Sequence, residues 1–229
     1  NEIITYTMTS PLDESKLLLK EGFNEKEYIP VRNPLSNERS HLRRKLLPGA
    51  LHTARQNLRF EDQVKVFEAG GVFIPEHNQT LPNEPMELCL LMTGKREQQS
   101  WHKSGEGEID FFDLKGVIEN LFGSLHLFDL EWEKTRDLPY HPGRCSKIIL
   151  NGVLIGIMGE LHPDVRRLFE FPDKPVICAE LKLQELINAV NPQFLMQEIS
   201  SYAPVFEDLA FVVDGSIAVE TLVPFILKS

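Results

Sequence analysis

Apolar residues along this chain come in short runs punctuated by Gly, Pro, Asn and Asp. The densest run lies between two His-Pro dipeptides, HPGRCSKIILNGVLIGIMGELHP at residues 141–163. Asn151-Gly152 divides it. Asn-Gly between hydrophobic runs is a strong hairpin signal, because both turn residues must accept positive φ. The flanks, Lys147 to Leu150 and Val153 to Ile155, scarcely alternate between apolar and polar. Strands of that kind are covered on both faces, so the pattern places this hairpin near the centre of a sheet.

Elsewhere the patterning predicts alternating strands and amphipathic helices. Glu2 to Tyr6 reads as a strand, followed by Pro11, an amphipathic segment through Leu17, Leu18 and Leu19, and a break at Gly22-Phe23. A helix is expected from Pro48, because proline suits the first helical position, with Leu51, Ala54 and Leu58 on one face. Val64 to Glu68 alternates as a strand, and Gly70-Gly71 permits a bulge or tight turn before Val72-Phe73-Ile74. His77 to Pro85 is turn-rich, Met86 to Met92 is a strand ending at Thr93-Gly94, and Lys95 to Glu108 is a polar loop.

The clearest helix spans Ile109 to Leu125. Asp110 caps it, Asp113 lies in its first turn and Lys115 follows, while Leu114, Val117, Ile118, Leu121 and Leu125 form an apolar stripe. Residues 126–140 should hold a short strand and a loop. Pro163 starts a short helix through Val165, Leu168 and Phe169. A strand from Val176 to Leu183, a helical turn from Gln184 to Ile187 and a break at Asn191-Pro192 come next. After Glu198 the pattern gives one strand (Leu209 to Val213), an Asp214-Gly215 turn and one helix (Val219 to Leu227). That is too little to close a core, so the chain is expected to end inside a second domain, its tail disordered or docked on a neighbour. It opens on Asn1 rather than Met, which suggests a piece excised from a longer protein.

Composition narrows the class. The 229 residues are 42% hydrophobic and 25% charged, as in ordinary globular proteins. No apolar run approaches the ~20 residues that span a bilayer, so no membrane partner is expected. Cys89, Cys145 and Cys178 are too few and scattered for a disulfide framework, which points to a reducing cytoplasm. A net charge of -10 argues against general nucleic-acid binding and confines any RNA contact to a local basic patch.

Candidate chemistry is sparse. Gly152, Gly156 and Gly159 match neither a dinucleotide fingerprint nor a P-loop, and a hairpin turn with close-packed strands explains them better. His141 and Cys145, with His162 nearby, invite a metal site or a Cys/His nucleophile pair, but the spacing fits no standard zinc signature and no third ligand is close in sequence. Glu106, Glu108, Asp110 and Asp113 invite a magnesium reading, which a solvated loop and a helix cap replace. The basic segment with Arg39, Arg43, Arg44, Lys45, Arg55 and Arg59 would hold phosphate, ATP or tRNA, or would pair with surplus carboxylates, and both readings stay open.

Several motifs in order carry a family resemblance: NPLSNERSHLRRKLLPGALHTARQN, VKVFEAGGVF, IDFFDLKGVIENL, HPGRCSKIILNGVLIGIMGELHP and AELKL. Together they resemble the beta subunit of bacterial phenylalanyl-tRNA synthetase over roughly residues 1–195. The resemblance implies an α+β fold, a class II aminoacyl-tRNA synthetase-like antiparallel sheet flanked by helices, over 1–197. SYAPVFEDLAFVVDG is similar to the start of that family's ferredoxin-like anticodon-binding domain, which places 198–229 in an incomplete second domain. Phe206-Glu207-Asp208 stands where an Arg-Asp pair is usual, which removes the usual arginine from any tRNA contact there.

The resemblance further implies a non-catalytic role. The alpha subunit binds ATP and phenylalanine, uses magnesium and aminoacylates tRNA, and the beta copy packs against it in an (αβ)2 assembly. The family's magnesium-linked carboxylates and editing domain lie outside these residues. No G-x-G-x-x-R segment occurs here, so the arginine that clamps a triphosphate in active relatives is missing. No catalytic, cofactor or metal residue is therefore assigned. The structural or interface candidates are Arg43, Pro48, Asp110, Lys115, Asn151, Gly152, Gly159, His162 and Pro163. The helices from Pro48 and Asp110 are the interface candidates. Arg43 and Pro48 keep the alpha paralogue's strand-to-helix layout, and Gly159 to Pro163 resembles its G-x-x-H-P turn. The alternatives are a free-standing class II synthetase-like ligase or ATP/amino-acid-binding paralogue, and an RNA-binding module.

Overall fold

The computed structural model describes residues 1–18, 24–76, 81–97, 101, 107–190, 202–215, 217, 222 and 226. In chain order the elements are β1 (Met8–Thr9), α1 (Pro11–Ser15), β2 (His41–Leu42), α2 (Leu47–Asn57), β3 (Gln63–Gly71) and β4 (Met86–Gly94). After these come α3 (Phe111–Ser124), β5 (Leu130–Lys134), β6 (Tyr140–Leu150), β7 (Val153–Leu161), α4 (Pro163–Leu168), β8 (Val176–Lys182) and α5 (Leu183–Ala189). The chain divides into two units, Asn1–Pro192 and Gln193–Ser229.

In the first unit six strands pair antiparallel in the order β3-β4-β8-β7-β6-β5, and β1 with β2 forms a separate ribbon. Strand alternation sends side chains to two separate cores. On one face Leu46, Leu47, Ala50, Leu51 and Ala54 of the α2 region pack with Val64, Val66, Cys89, Leu91 and Cys178. On the other face Leu114, Ile118 and Phe122 of α3 pack with Leu88, Ile148, Ile155, Met158, Ile177 and Leu181. Each Val, Leu, Ile, Phe or Met among them contributes roughly 1.5–3 kcal/mol on burial. Helices on both faces of an antiparallel sheet give the mixed α+β architecture.

The Asn151-Gly152 turn joins β6 to β7 with positive φ at both residues, +50° and +76°, and sets Leu150 opposite Val153. The first positive φ is one that asparagine tolerates and the second favours glycine. The strand order gives β8 and β7 the two middle places, so the hairpin does lie near the centre of the sheet, although it is not covered on both faces throughout. The strand buried along nearly its whole length is β8, and the hairpin tip exposes Val153 and Leu154.

Other expectations shift for local reasons. Glu2 to Tyr6 is not a strand. Glu2 makes a single parallel bridge to Phe67, and regular pairing appears first at Met8. Gly70-Gly71 makes neither bulge nor turn, because β3 runs through both in unbroken register opposite Glu87 and Met86. Val72 to Ile74 then leaves the sheet, with one bridge from Ile74 to Asn83. The helix expected from Pro48 begins one residue earlier, at Leu47. Leu183 opens α5 rather than ending β8.

In the second unit residues 202–214 carry no strand, including the stretch Leu209 to Val213. A strand requires a hydrogen-bonded neighbour, and none of the described residues pairs with that stretch. Leu19, Gly22-Phe23, His77 to Thr80, Glu106, Asn191-Pro192 and nearly all of the Val219 to Leu227 helix lie outside the described residues. Among the described residues no helix is long and apolar enough to cross a membrane.

Candidate functional site

Cross-strand partners share a face, and the registers line up one row across all six strands. Glu68 of β3 faces Cys89 of β4, which faces Glu180 of β8. The row continues through Ile157 of β7 and Lys147 of β6 to Glu133 of β5. Of the three carboxylates in this row two, Glu68 and Glu180, are buried on the side of the sheet that holds the α2 core. A buried carboxylate is costly unless paired and hydrogen-bonded.

The segment leading into α2 supplies the partners. Arg43 Nη1 donates to Glu68 Oε1 at 2.6 Å and to Thr5 Oγ1 at 3.0 Å, and Arg43 Nε donates to the Gly71 carbonyl at 3.0 Å. Thr5 completes Glu68 from its amide at 3.1 Å and its hydroxyl at 2.7 Å. Gly70 makes room, since a Cβ there would stand 2.5 Å from Arg43 Nη2. Next along, Lys45 Nζ donates to Glu180 Oε1 at 3.1 Å and the Tyr140 hydroxyl donates to Glu180 Oε2 at 3.2 Å. The Glu180 carboxylate keeps Lys45 protonated above the usual lysine range. Burial raises Tyr140, Cys89 and Cys178 well above their ordinary values, and lifts Cys145 to about 11, which leaves none of them nucleophilic at neutral pH.

A third tie anchors α1. Buried Glu14 accepts from the Arg44 amide and the Tyr28 hydroxyl, both at 2.8 Å, and burial raises its carboxyl above the ordinary range. Arg44 itself pairs with Glu27, and Arg55 with Glu170. A cavity of about 240 Å³ opens beside Lys45 and Glu180, lined also by Glu87, Asp137, Lys147 and Lys182.

Of the residues singled out by sequence, Arg43, Arg44 and Lys45 sit inside this network. Pro48 opens α2 beside it, among the buried residues of the α2 face. Asp110 caps α3, accepting from the Phe112 and Asp113 amides, while Asp113 answers the Asp110 amide and Arg96 braces both. Lys115 pairs with Glu119 and lies over Trp132. These belong to the opposite face. Asn151 and Gly152 form the hairpin tip. Gly159 packs against Tyr140 and Cys145, and His162 caps α4 by accepting from the Asp164 amide with Pro163 behind it. The two His-Pro histidines meet, with His141 and His162 stacked at 6.5 Å between centroids. Among the described residues no group of three or more His, Cys, Asp or Glu is arranged to hold a metal. Glu68 and Glu180, which build the network with Tyr140, lie inside the motifs VKVFEAGGVF and AELKL, yet nothing in the pattern marks them as site residues.

Arg43 and Lys45 have both turned inward to carboxylates, so neither side chain presents a free charge to a triphosphate. The arrangement can lock the α2 segment, the N-terminal segment and two strands together.

The model of the phenylalanyl tRNA synthetase beta chain CLM domain matches residues 1–183. A phenylalanine–tRNA ligase beta subunit of Symbiobacterium thermophilum is 35% identical over 214 residues, 93% of this chain and 24% of that protein. The corresponding subunit of Syntrophus aciditrophicus is 32% identical over 231 residues, 100% of this chain and 28% of that protein. The chain thus spans about a quarter of the length of these curated relatives. In fold it is similar to the pyrrolysyl-tRNA synthetase from Desulfitobacterium hafniense, with a TM-score of 0.59 at 14% identity, covering 81% of this chain and 61% of that one.

Proposed function

The chain belongs to the phenylalanyl-tRNA synthetase beta chain family, matching its CLM domain, and on that premise we propose that it is a non-catalytic, class II synthetase-like scaffold. In this reading residues 1–197 pair with the catalytic alpha subunit of an (αβ)2 cytoplasmic ligase. That enzyme attaches phenylalanine to its tRNA with ATP and magnesium held by the alpha subunit. Residues 198–229 begin a ferredoxin-like anticodon-binding domain. α2 and α3 are the helices that meet the partner. Arg43, Pro48, Asp110, Lys115, Asn151, Gly152, Gly159, His162 and Pro163 shape the sheet and its helices and do no chemistry.

One observation supports this most: Arg43, the arginine that the family resemblance places in the strand-to-helix position, is spent on Glu68, Thr5 and the Gly71 carbonyl. A guanidinium so engaged offers no charge to a nucleotide. The test is co-purification of the beta chain with the alpha subunit. A complex that restores phenylalanine attachment to tRNA is expected, and a beta chain that neither pairs nor restores activity would overturn the reading.

A further inference from the structure

The cavity beside Lys45 and Glu180 contains one carboxylate that the network leaves over. Glu87 of β4 lies opposite Lys182 of β8 and two residues from Cys89, which places it on the same sheet face as Glu68 and Glu180. No hydrogen bond or ion pair to Glu87 forms among the described residues. Facing it are Glu180 and Lys182 on β8, Arg43 and Lys45 on the segment leading into α2, and Glu14 on α1. Asp137 and Lys147 line the same cavity. Arg43 and Lys45 are already engaged, by Glu68 and Glu180. Burial first, and the Glu180 charge second, push the Glu87 carboxyl up to about 7.

We infer that Glu87, Glu180 and Lys45 form a proton-operated clasp that seats the segment leading into α2 on the sheet. With Glu87 neutral, Lys45 answers Glu180 without competition from β4. When Glu87 releases its proton to solvent, a second negative charge stands on the same face, repels Glu180 and draws on Lys45. The hold on Lys45, two residues before α2 begins, is then divided. The sign follows from linkage. The folded-state value, about 7, lies above the ordinary 4.5, so this contribution to stability is fully present below 4.5 and is lost as pH rises through about 7.

The full 229-residue chain is the material for the test. The Glu87 side-chain carboxyl is titrated by ¹³C NMR. Urea midpoints and amide-exchange protection of the residues around Lys45 are measured at about pH 5.5 and about pH 8, for the wild type and for Glu87→Gln. The expected result is a Glu87 titration near neutrality, a lower wild-type midpoint and weaker protection at the higher pH, and a flattened dependence in Glu87→Gln. A Glu87 that titrates in the ordinary carboxylate range, or a Glu87→Gln chain with the wild-type pH dependence, would overturn the clasp. Should Glu87→Gln fail to fold, the wild-type titration decides alone.

Discussion

The Arg43 guanidinium closes on the Glu68 carboxylate at 2.6 Å, with side-chain exposures of only 8% and 2%. The two residues are 25 apart in sequence, one on the segment before α2 and one on β3, so the pair fixes where that helix meets the sheet. Truncating either partner strands a buried charge. Arg43→Met alone should cost about 3–5 kcal/mol. The double variant Arg43→Met, Glu68→Leu should recover most of that loss, because both charges leave together. Urea denaturation of the two singles and the double checks this, and additive losses would contradict it.

Close packing between β7 and β8 makes a sharp contrast between two glycines. A Cβ on Gly156 would stand 2.5 Å from Leu181 Cδ2 and closer still to the Glu180 carbonyl oxygen, whereas one on Gly116 in α3 would meet nothing within 4 Å. Gly156→Ala is expected to destabilise by about 1–3 kcal/mol through overpacking. Gly116→Ala should stabilise by up to about 1 kcal/mol through helix propensity. Thermal unfolding of both variants tests the opposite signs.

The start of α3 rests on a reciprocal cap. Asp110 accepts from the Phe112 amide at 2.8 Å and Asp113 accepts from the Asp110 amide at 2.8 Å. Asp110→Ala should cost about 1 kcal/mol, and Asp110→Asn, which keeps an acceptor oxygen, should cost less. Equal losses measured in urea would show that charge pairing with Arg96, and not the cap, holds the turn.

Acid should loosen α1 through Asp13. His52 first and Lys16 after it hold this carboxyl down to about 2 from its ordinary 3.8, against an opposing effect of burial. A depressed folded-state value stabilises above 3.8 and loses its contribution as pH falls through about 2. Asp13→Asn is expected to lower stability at neutral pH and to flatten the acid limb in that window. An acid limb as steep as the wild type's would contradict the assignment.

Much of the architecture was legible because local chemistry and tertiary structure agree. Asn151-Gly152 dictates a two-residue turn, and Asp110 before an apolar stripe dictates a capped helix. The buried network was harder to read. Glu68 does occupy the inward phase set by Val64 and Val66, and Glu180 interrupts the apolar run Val176 to Leu181, so each carried a faint signal. What no sequence pattern supplies is the register that lays Glu68, Cys89 and Glu180 side by side, or the reach of Lys45 across 135 residues to Glu180. The same gap applies to the middle of the sheet, where β8 lies beside the hairpin strand β7. Only the pairing order places β8 between β4 and β7.

The most direct test of the central claim, that the site's cations serve the fold and not a ligand, is isothermal titration of this chain with ATP and with phenylalanine. No binding heat is expected with either ligand at concentrations up to about 1 mM. Dissociation constants in the micromolar range for either ligand would contradict the claim and return Arg43 and Lys45 to a binding role.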